Sequence, residues 1–150
     1  MTDIVSQEKR SNNMRAIKSK DTKPEVYFRH LLFNMGFRYR NNVSYVPGHP
    51  DLFLRKYNLA VFVNGCFWHR HKGCQYAYMP KSRIEFWKKK FEANETRDNV
   101  VAETLRQKKI RQLVVWECTL KKMQKDPEYE KKVLNEINDF IRSDIQFMEY

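Results

Sequence analysis

Three cysteines in 150 residues cannot all pair with one another, so the chain favours ligation over a disulfide framework. It has no apolar run approaching the length of a membrane span, and its first residues lack the apolar core of a secretory leader. The expectation is a cytosolic protein whose thiols stay reduced. No internal repeat or low-complexity segment is visible. Acidic residues are in deficit, 18 Asp and Glu against 29 Lys and Arg, leaving a net charge of +11. A globular chain this basic points to a polyanionic partner, because each neutralised phosphate releases counterions; the plainer alternative is a basic surface that only aids solubility.

What is present is enough to fold. Hydrophobic residues make up 41%, so the 31% charge does not imply disorder, and 150 residues suit one domain with a real core. Aromatics at 14% tilt the polyanion toward nucleic acid, since rings stack on or wedge between bases.

Residues 1–21 are polar, with Arg10, Arg15, Lys18 and Lys20 around Met14 and Ile17, and read as a basic arm; residues 22–150 read as the domain proper. Thr22 and Glu25 have the spacing of a capping box, and the helix they open ends at Gly36. Short strands are expected at 37–40, 43–46, 51–55 and 59–63, the third following the Pro47-Gly48-His49-Pro50 turn. Ser82 and Glu85 suggest a second capping box for a helix from Arg83 to about Lys108. A strand at 112–116 follows, ending at Glu117 and Cys118. Asp126 and Pro127 then start a final helix. Strands in the middle with helices around them give an α/β sandwich.

The densest chemistry lies in ten residues, Gly65 to Cys74, directly after the apolar run 59–63. Cys66, His71 and Cys74 offer three ligands on one loop, and Cys118, at the end of the last strand, is the natural fourth. Soft thiolates and imidazole in a closed set of four suit structural, tetrahedral Zn²⁺; the alternative is three unpaired thiols and a surface histidine. His69 is two residues from His71, so in an extended loop the two point opposite ways, leaving His69 free for other work.

On the helix from Arg83, the inward positions are Ile84, Trp87, Phe91, Asn94, Asp98, Val101 and Leu105. Asn94 and Asp98 interrupt an apolar stripe, where an unpaired carboxylate is costly. Either Asp98 forms a structural ion pair with an arginine or this face lines a catalytic cleft. Asp51 also has a plain reading as a turn residue, and Glu25 as a capping residue. Together Glu25, Asp51, His69 and Asp98 are candidates for a Mg²⁺-dependent phosphodiesterase, with carboxylate and carbonyl oxygens holding the ion and an imidazole taking a proton from water.

Taken in order, Ser11 to Ile17, Pro47 to Asp51, Gly65 to His69, Arg83 to Trp87 and Val114 to Cys118 resemble the very-short-patch repair endonucleases, to about residue 143. That resemblance implies a three-layer α/β/α restriction-endonuclease-like fold and a strand-specific nick 5′ of the mispaired thymine in T:G mismatches left by deamination of 5-methylcytosine. It implies Asp51 as a Mg²⁺ ligand together with the Val63 carbonyl, His69 as base oriented by Asp98, and Glu25 as accessory acid. Cys66, His71, Cys74 and Cys118 take the role of structural zinc ligands. Phe67, Trp68 and Trp87 resemble the aromatic wedge that enters DNA from the major groove, with Met14, Arg15 and Ile17 contacting it from the arm.

The acid-x-Lys motif of the wider nuclease superfamily is absent at Val63-Asn64-Gly65, as it is from this family. Asn64 stands where some members have a catalytic histidine, and an amide cannot carry a proton at neutral pH. The partner implied is double-stranded DNA with a T:G mismatch, met by a monomer at the bacterial nucleoid, with mismatch-repair proteins as further partners. Two rivals remain: a nuclease of the same fold without a mismatch requirement, and a non-catalytic zinc-stabilised DNA-binding domain.

Overall fold

Two runs rich in β-branched and large apolar residues, β3 (Leu59–Asn64) and β4 (Arg111–Trp116), form the centre of the sheet in the computed structural model, which describes residues 21–150. They pair in parallel from Leu59↔Arg111 to Asn64↔Trp116. β2 (Leu52–Leu54) lies antiparallel to β3 and β1 (Arg40–Asn41) antiparallel to β2, while β5 (Phe147–Glu149) is parallel to β4 at the other edge. The sheet order is therefore β1-β2-β3-β4-β5.

Helices cover both faces. On one, α1 (Lys23–Asn34), α3 (Glu117–Lys125) and α4 (Pro127–Arg142) contribute Phe28, Leu32, Leu120, Met123, Ile137 and Ile141 to a core with Leu52, Leu54, Leu59, Val61, Leu113 and Val115. On the other, α2 (Ile84–Gln107) packs Leu105 and Val101 against Phe53, Ala60 and Phe62. This is the three-layer α/β/α arrangement expected from the sequence. Among the described residues no helix is long and apolar enough to cross a membrane.

The helix ends follow their local chemistry. Thr22 Oγ1 accepts the Glu25 N–H at 3.4 Å, but Glu25 Oε2 reaches back to the Asp21 N–H at 2.9 Å rather than to Thr22. Gly36 takes φ +97° after α1, and the Phe37 N–H returns to the Leu32 carbonyl at 3.0 Å, as a left-handed glycine terminus allows. Asp126 caps α4 by accepting the Tyr129 N–H at 3.1 Å. Gly48 has φ +83°, and a Cβ there would meet Val101 of α2 at 2.5 Å, so the turn before Asp51 requires glycine on both counts.

Several expectations differ. Residues 43–46 form no strand: Pro47 and Pro50 bring no N–H to a ladder, and Val43 and Val46 tuck into the α2 side of the core instead. Of 37–40 only Arg40 enters β1. The capping box at Ser82 does not form as expected; Arg83 at φ 53° occupies the N-cap of α2, without a side-chain cap bond. Ile84, expected on the inward face, is half exposed at the first position of α2. Neither α3 nor β5 was expected: α3 is short and rich in polar residues, and β5 has only three residues at the sheet edge. The arm residues Met14, Arg15 and Ile17 lie outside the described residues.

Candidate active site and metal centre

The sheet ends decide where the chemistry gathers. β3 and β4 finish in register at Asn64 and Trp116, so the turns that follow, beginning at Gly65 and Glu117, lie side by side. Asp51 stands at the start of β2, which is antiparallel to β3, and so faces the same end. Its Oδ2 accepts the Val63 N–H at 2.7 Å.

One cleft of about 530 Å³ is lined by Glu25, Asp51, Val63, Asn64, Trp68 and His69. The structure thus brings together every residue expected around the catalytic ion, and Asp98 stands behind them. Burial pushes the Asp51 carboxyl up to about 7; the Val63 N–H pulls against that, while the neighbouring Glu25 adds to it. Glu25 is itself buried, at 5% exposure. Two carboxyl groups at hydrogen-bonding range in a poorly solvated cleft repel when both are ionised, a conflict that a cation between them removes. The carboxylate oxygens of Asp51 and Glu25 are hard donors of the kind that fit such a cation.

His69 Nδ1 lies 2.7 Å from Asp98 Oδ2. That bond fixes the ring and leaves Nε2 for the cleft. One turn earlier on α2, Asn94 Nδ2 donates to the Trp68 carbonyl at 3.0 Å. The two polar interruptions of the α2 stripe therefore grip two consecutive residues of one turn, and Asp98 pairs with this histidine rather than with an arginine. The turn itself is not extended. His69 N–H bonds the Gly65 carbonyl at 3.1 Å, His71 N–H bonds that of Cys66 at 3.0 Å, and Arg70 has φ 55°. His69 and His71 do diverge, but because the chain reverses at Arg70.

His71 belongs to a second cluster. Its Nδ1 lies 3.6 Å from Cys66 Sγ and 3.4 Å from Cys118 Sγ, and with Cys74 all four donor atoms fall within 4.8 Å of one another. Around a tetrahedral ion with metal–sulfur bonds of about 2.3 Å, neighbouring donors sit roughly 3.6–3.8 Å apart, so the cluster can close on a metal ion. Burial pushes the Cys66 thiol up to about 12 and raises Cys118, so these sulfurs become thiolates most readily when a cation joins them. Burial also lowers His71, favouring the neutral, ligating ring, which stacks at 4.1 Å on Trp116.

The third group is aromatic. Phe67 packs edge-on to Trp68 at 5.2 Å and Trp87 at 5.5 Å, and the two tryptophans lie 5.8 Å apart. All three are partly exposed, and Tyr78, Met79, Ile84 and Phe86 around them are exposed.

Some cleft and turn residues were not singled out from the sequence. His49 and Glu117 both line the cleft. Glu117 could have been placed there by register, since it follows Trp116 as Gly65 follows Asn64. Arg70 holds three backbone carbonyls around the turn, a role with no local sequence signal.

The family model for DNA mismatch endonuclease Vsr matches residues 2–75. The type II nicking enzyme V.NmeAIP of Neisseria meningitidis is 43% identical over 141 residues, covering 94% of this chain and all of that protein. V.XorIIP of Xanthomonas oryzae is 42% identical over 80% of this chain and 88% of its own length. The DNA mismatch endonuclease Vsr of Escherichia coli is 38% identical over 83% of this chain and 80% of its own length. The chain belongs to the Vsr family of DNA mismatch endonucleases.

Proposed function

We propose that this endonuclease is Mg²⁺-dependent and nicks one strand of double-stranded DNA 5′ of the thymine in a T:G mismatch. The observation that carries the proposal is the join at residues 68 and 69: the aromatic group and the histidine paired with Asp98 share one turn, which opens onto the Asp51 cleft. Rings at the cleft mouth suit a stack already weakened by poor pairing, where opening costs less than at a matched pair. A plain binding domain gains nothing from carboxylates facing phosphate.

In this reading Asp51 and the Val63 carbonyl hold Mg²⁺, with Glu25 beside them as the accessory acid. The ion, when bound, offsets charge on the phosphate. His69 takes the proton of the attacking water at Nε2, and Asp98 keeps the ring in place and stabilises its charged form. Asn64 donates a hydrogen bond at the phosphate but no proton. Cys66, His71, Cys74 and Cys118 hold Zn²⁺, chosen by soft donors in a closed set with no open position. Met14, Arg15 and Ile17 of the arm over 1–21 contact DNA opposite Phe67, Trp68 and Trp87.

A nicking assay with added Mg²⁺ on T:G, T:A and other mispaired duplexes tests this. The expected result is one nick, on the thymine strand, at T:G. Equal cutting of T:G and T:A would leave a nuclease of this fold without mismatch choice, and absence of cutting with retained binding would leave a binding domain.

A further inference from the structure

We propose that Tyr78 is a fourth ring of the DNA-contacting aromatic group and that Arg70 is its positioning residue; this rests on the mismatch-endonuclease reading above. Tyr78 is 59% exposed, yet its ring is seated against Phe67 at 5.1 Å. An exposed ring on a segment without regular secondary structure ordinarily loses its orientation to conformational entropy. Here the backbone that carries it is fixed. Arg70 Nη1 donates to the Phe67 carbonyl at 3.0 Å and the Tyr78 carbonyl at 3.2 Å, and Nη2 donates to the Ala77 carbonyl at 2.9 Å. The guanidinium plane lies 3.8 Å over the buried ring of Phe91. One side chain therefore ties the turn bearing Phe67 to the segment bearing Tyr78, using a planar fork that a lysine lacks.

The other end of that segment is fixed as well. Ala77 N–H bonds the carbonyl of Cys74, one of the four metal-ligating candidates, at 3.0 Å. Tyr78 is thus held between a metal knot and an arginine strut, with its ring continuing the surface made by Phe67, Trp68 and Trp87. The occupant that fits is a stacked base pair of duplex DNA. Every base offers a flat face to a tyrosine, and a chain of net charge +11 suits the flanking phosphates. Arg83, 4.4 Å over the exposed Phe86 ring, adds a cation on the same rim.

The test compares wild type with Tyr78→Ala, Tyr78→Phe, Arg70→Ala, Arg70→Lys and the Tyr78→Ala/Arg70→Ala double variant, in binding to T:G and T:A duplexes. Thermal midpoint and metal content are followed in parallel. Tyr78→Ala should weaken T:G binding about 5- to 150-fold, the range for one lost stack, with a smaller loss for T:A, and Tyr78→Phe should keep wild-type selectivity. Arg70→Ala should narrow the T:G to T:A ratio in the same direction, Arg70→Lys should fail to restore it, and the double variant should lose less than the sum of the two. A ratio unchanged by Tyr78→Ala, in a protein whose ratio falls with Trp68→Ala, overturns the inference and leaves the mismatch reading standing. Additive losses overturn the assignment of Arg70. If wild type has no T:G preference, both readings fall. Tyr78 is a surface position, so its variants decide the matter even if the Arg70 variants do not fold.

Discussion

Asp51 and Val63 are bound across the β2–β3 pair, the amide of Val63 donating to Asp51 Oδ2 at 2.7 Å. The Val63 N–H thus aims the carboxylate, and both residues line the cleft. The bond is also the main pull against the burial that raises Asp51.

That raised value has a signed consequence for the metal-free protein. A carboxyl raised from 3.8 to about 7 folds more easily protonated than ionised. Its cost to stability is absent below pH ~4, grows as pH rises toward 7, and is full above that. Asp51→Asn should therefore melt at a higher temperature than wild type at pH 8 without metal, and the two should converge near pH 4. Thermal melts at both pH values check this, and Mg²⁺ should narrow the gap at pH 8. The same variant should bind DNA but not nick it.

Removing a metal ligand should act on stability before chemistry. Cys118→Ala should lose the bound ion and lower the melting temperature by about 5 °C or more, because the cluster joins the exits of β3 and β4. A strong chelator should destabilise wild type and leave Cys118→Ala unchanged. Metal analysis of wild type should find one zinc per chain; finding none would remove the assignment.

His69→Ala should slow single-turnover nicking by roughly 10²-fold or more, as for a missing general base. Asp98→Ala should slow it less, since the ring survives but loses its 2.7 Å partner. Nicking by wild type should rise with pH, because only neutral imidazole accepts a proton and only ionised Asp51 holds a cation. A flat profile with chemistry rate-limiting would count against both roles.

Trp68→Ala should remove stacking worth about 1–3 kcal/mol at T:G and much less at T:A, leaving the salt dependence of binding nearly unchanged because no phosphate contact is lost. Titrations of both duplexes at several salt concentrations measure the ratio and the slope together. Equal losses on the two duplexes would make these rings packing residues only.

The donors were legible in the sequence because soft ligands and carboxylates in unusual places are few. Cys66, His71, Cys74 and Cys118 announced a cluster by type, and Asn94 and Asp98 by interrupting an apolar stripe. What each would touch was less legible: Asp98 had an arginine as an equally good partner until the turn placed His69 2.7 Å away. Residues 43–46 misled because Val43 and Val46 look like strand residues, whereas the prolines after them break the ladder. Arg70 gave no signal, since its partners are carbonyls, which every residue has.

Trp68 and His69 are consecutive, and α2 holds one by its carbonyl through Asn94 and the other by its ring through Asp98. Neighbouring Cα atoms stand about 3.8 Å apart. On the proposed reading, the residue that probes the base stack and the residue that takes the proton form a ruler one peptide unit long. The offset along DNA between the mispaired base and the broken bond is then built into this turn, with no hinge or linker to stretch it. On that reading, a protein of this fold that cut at a different offset would have to rebuild the turn at residues 65–71, which carries both Trp68 and His69.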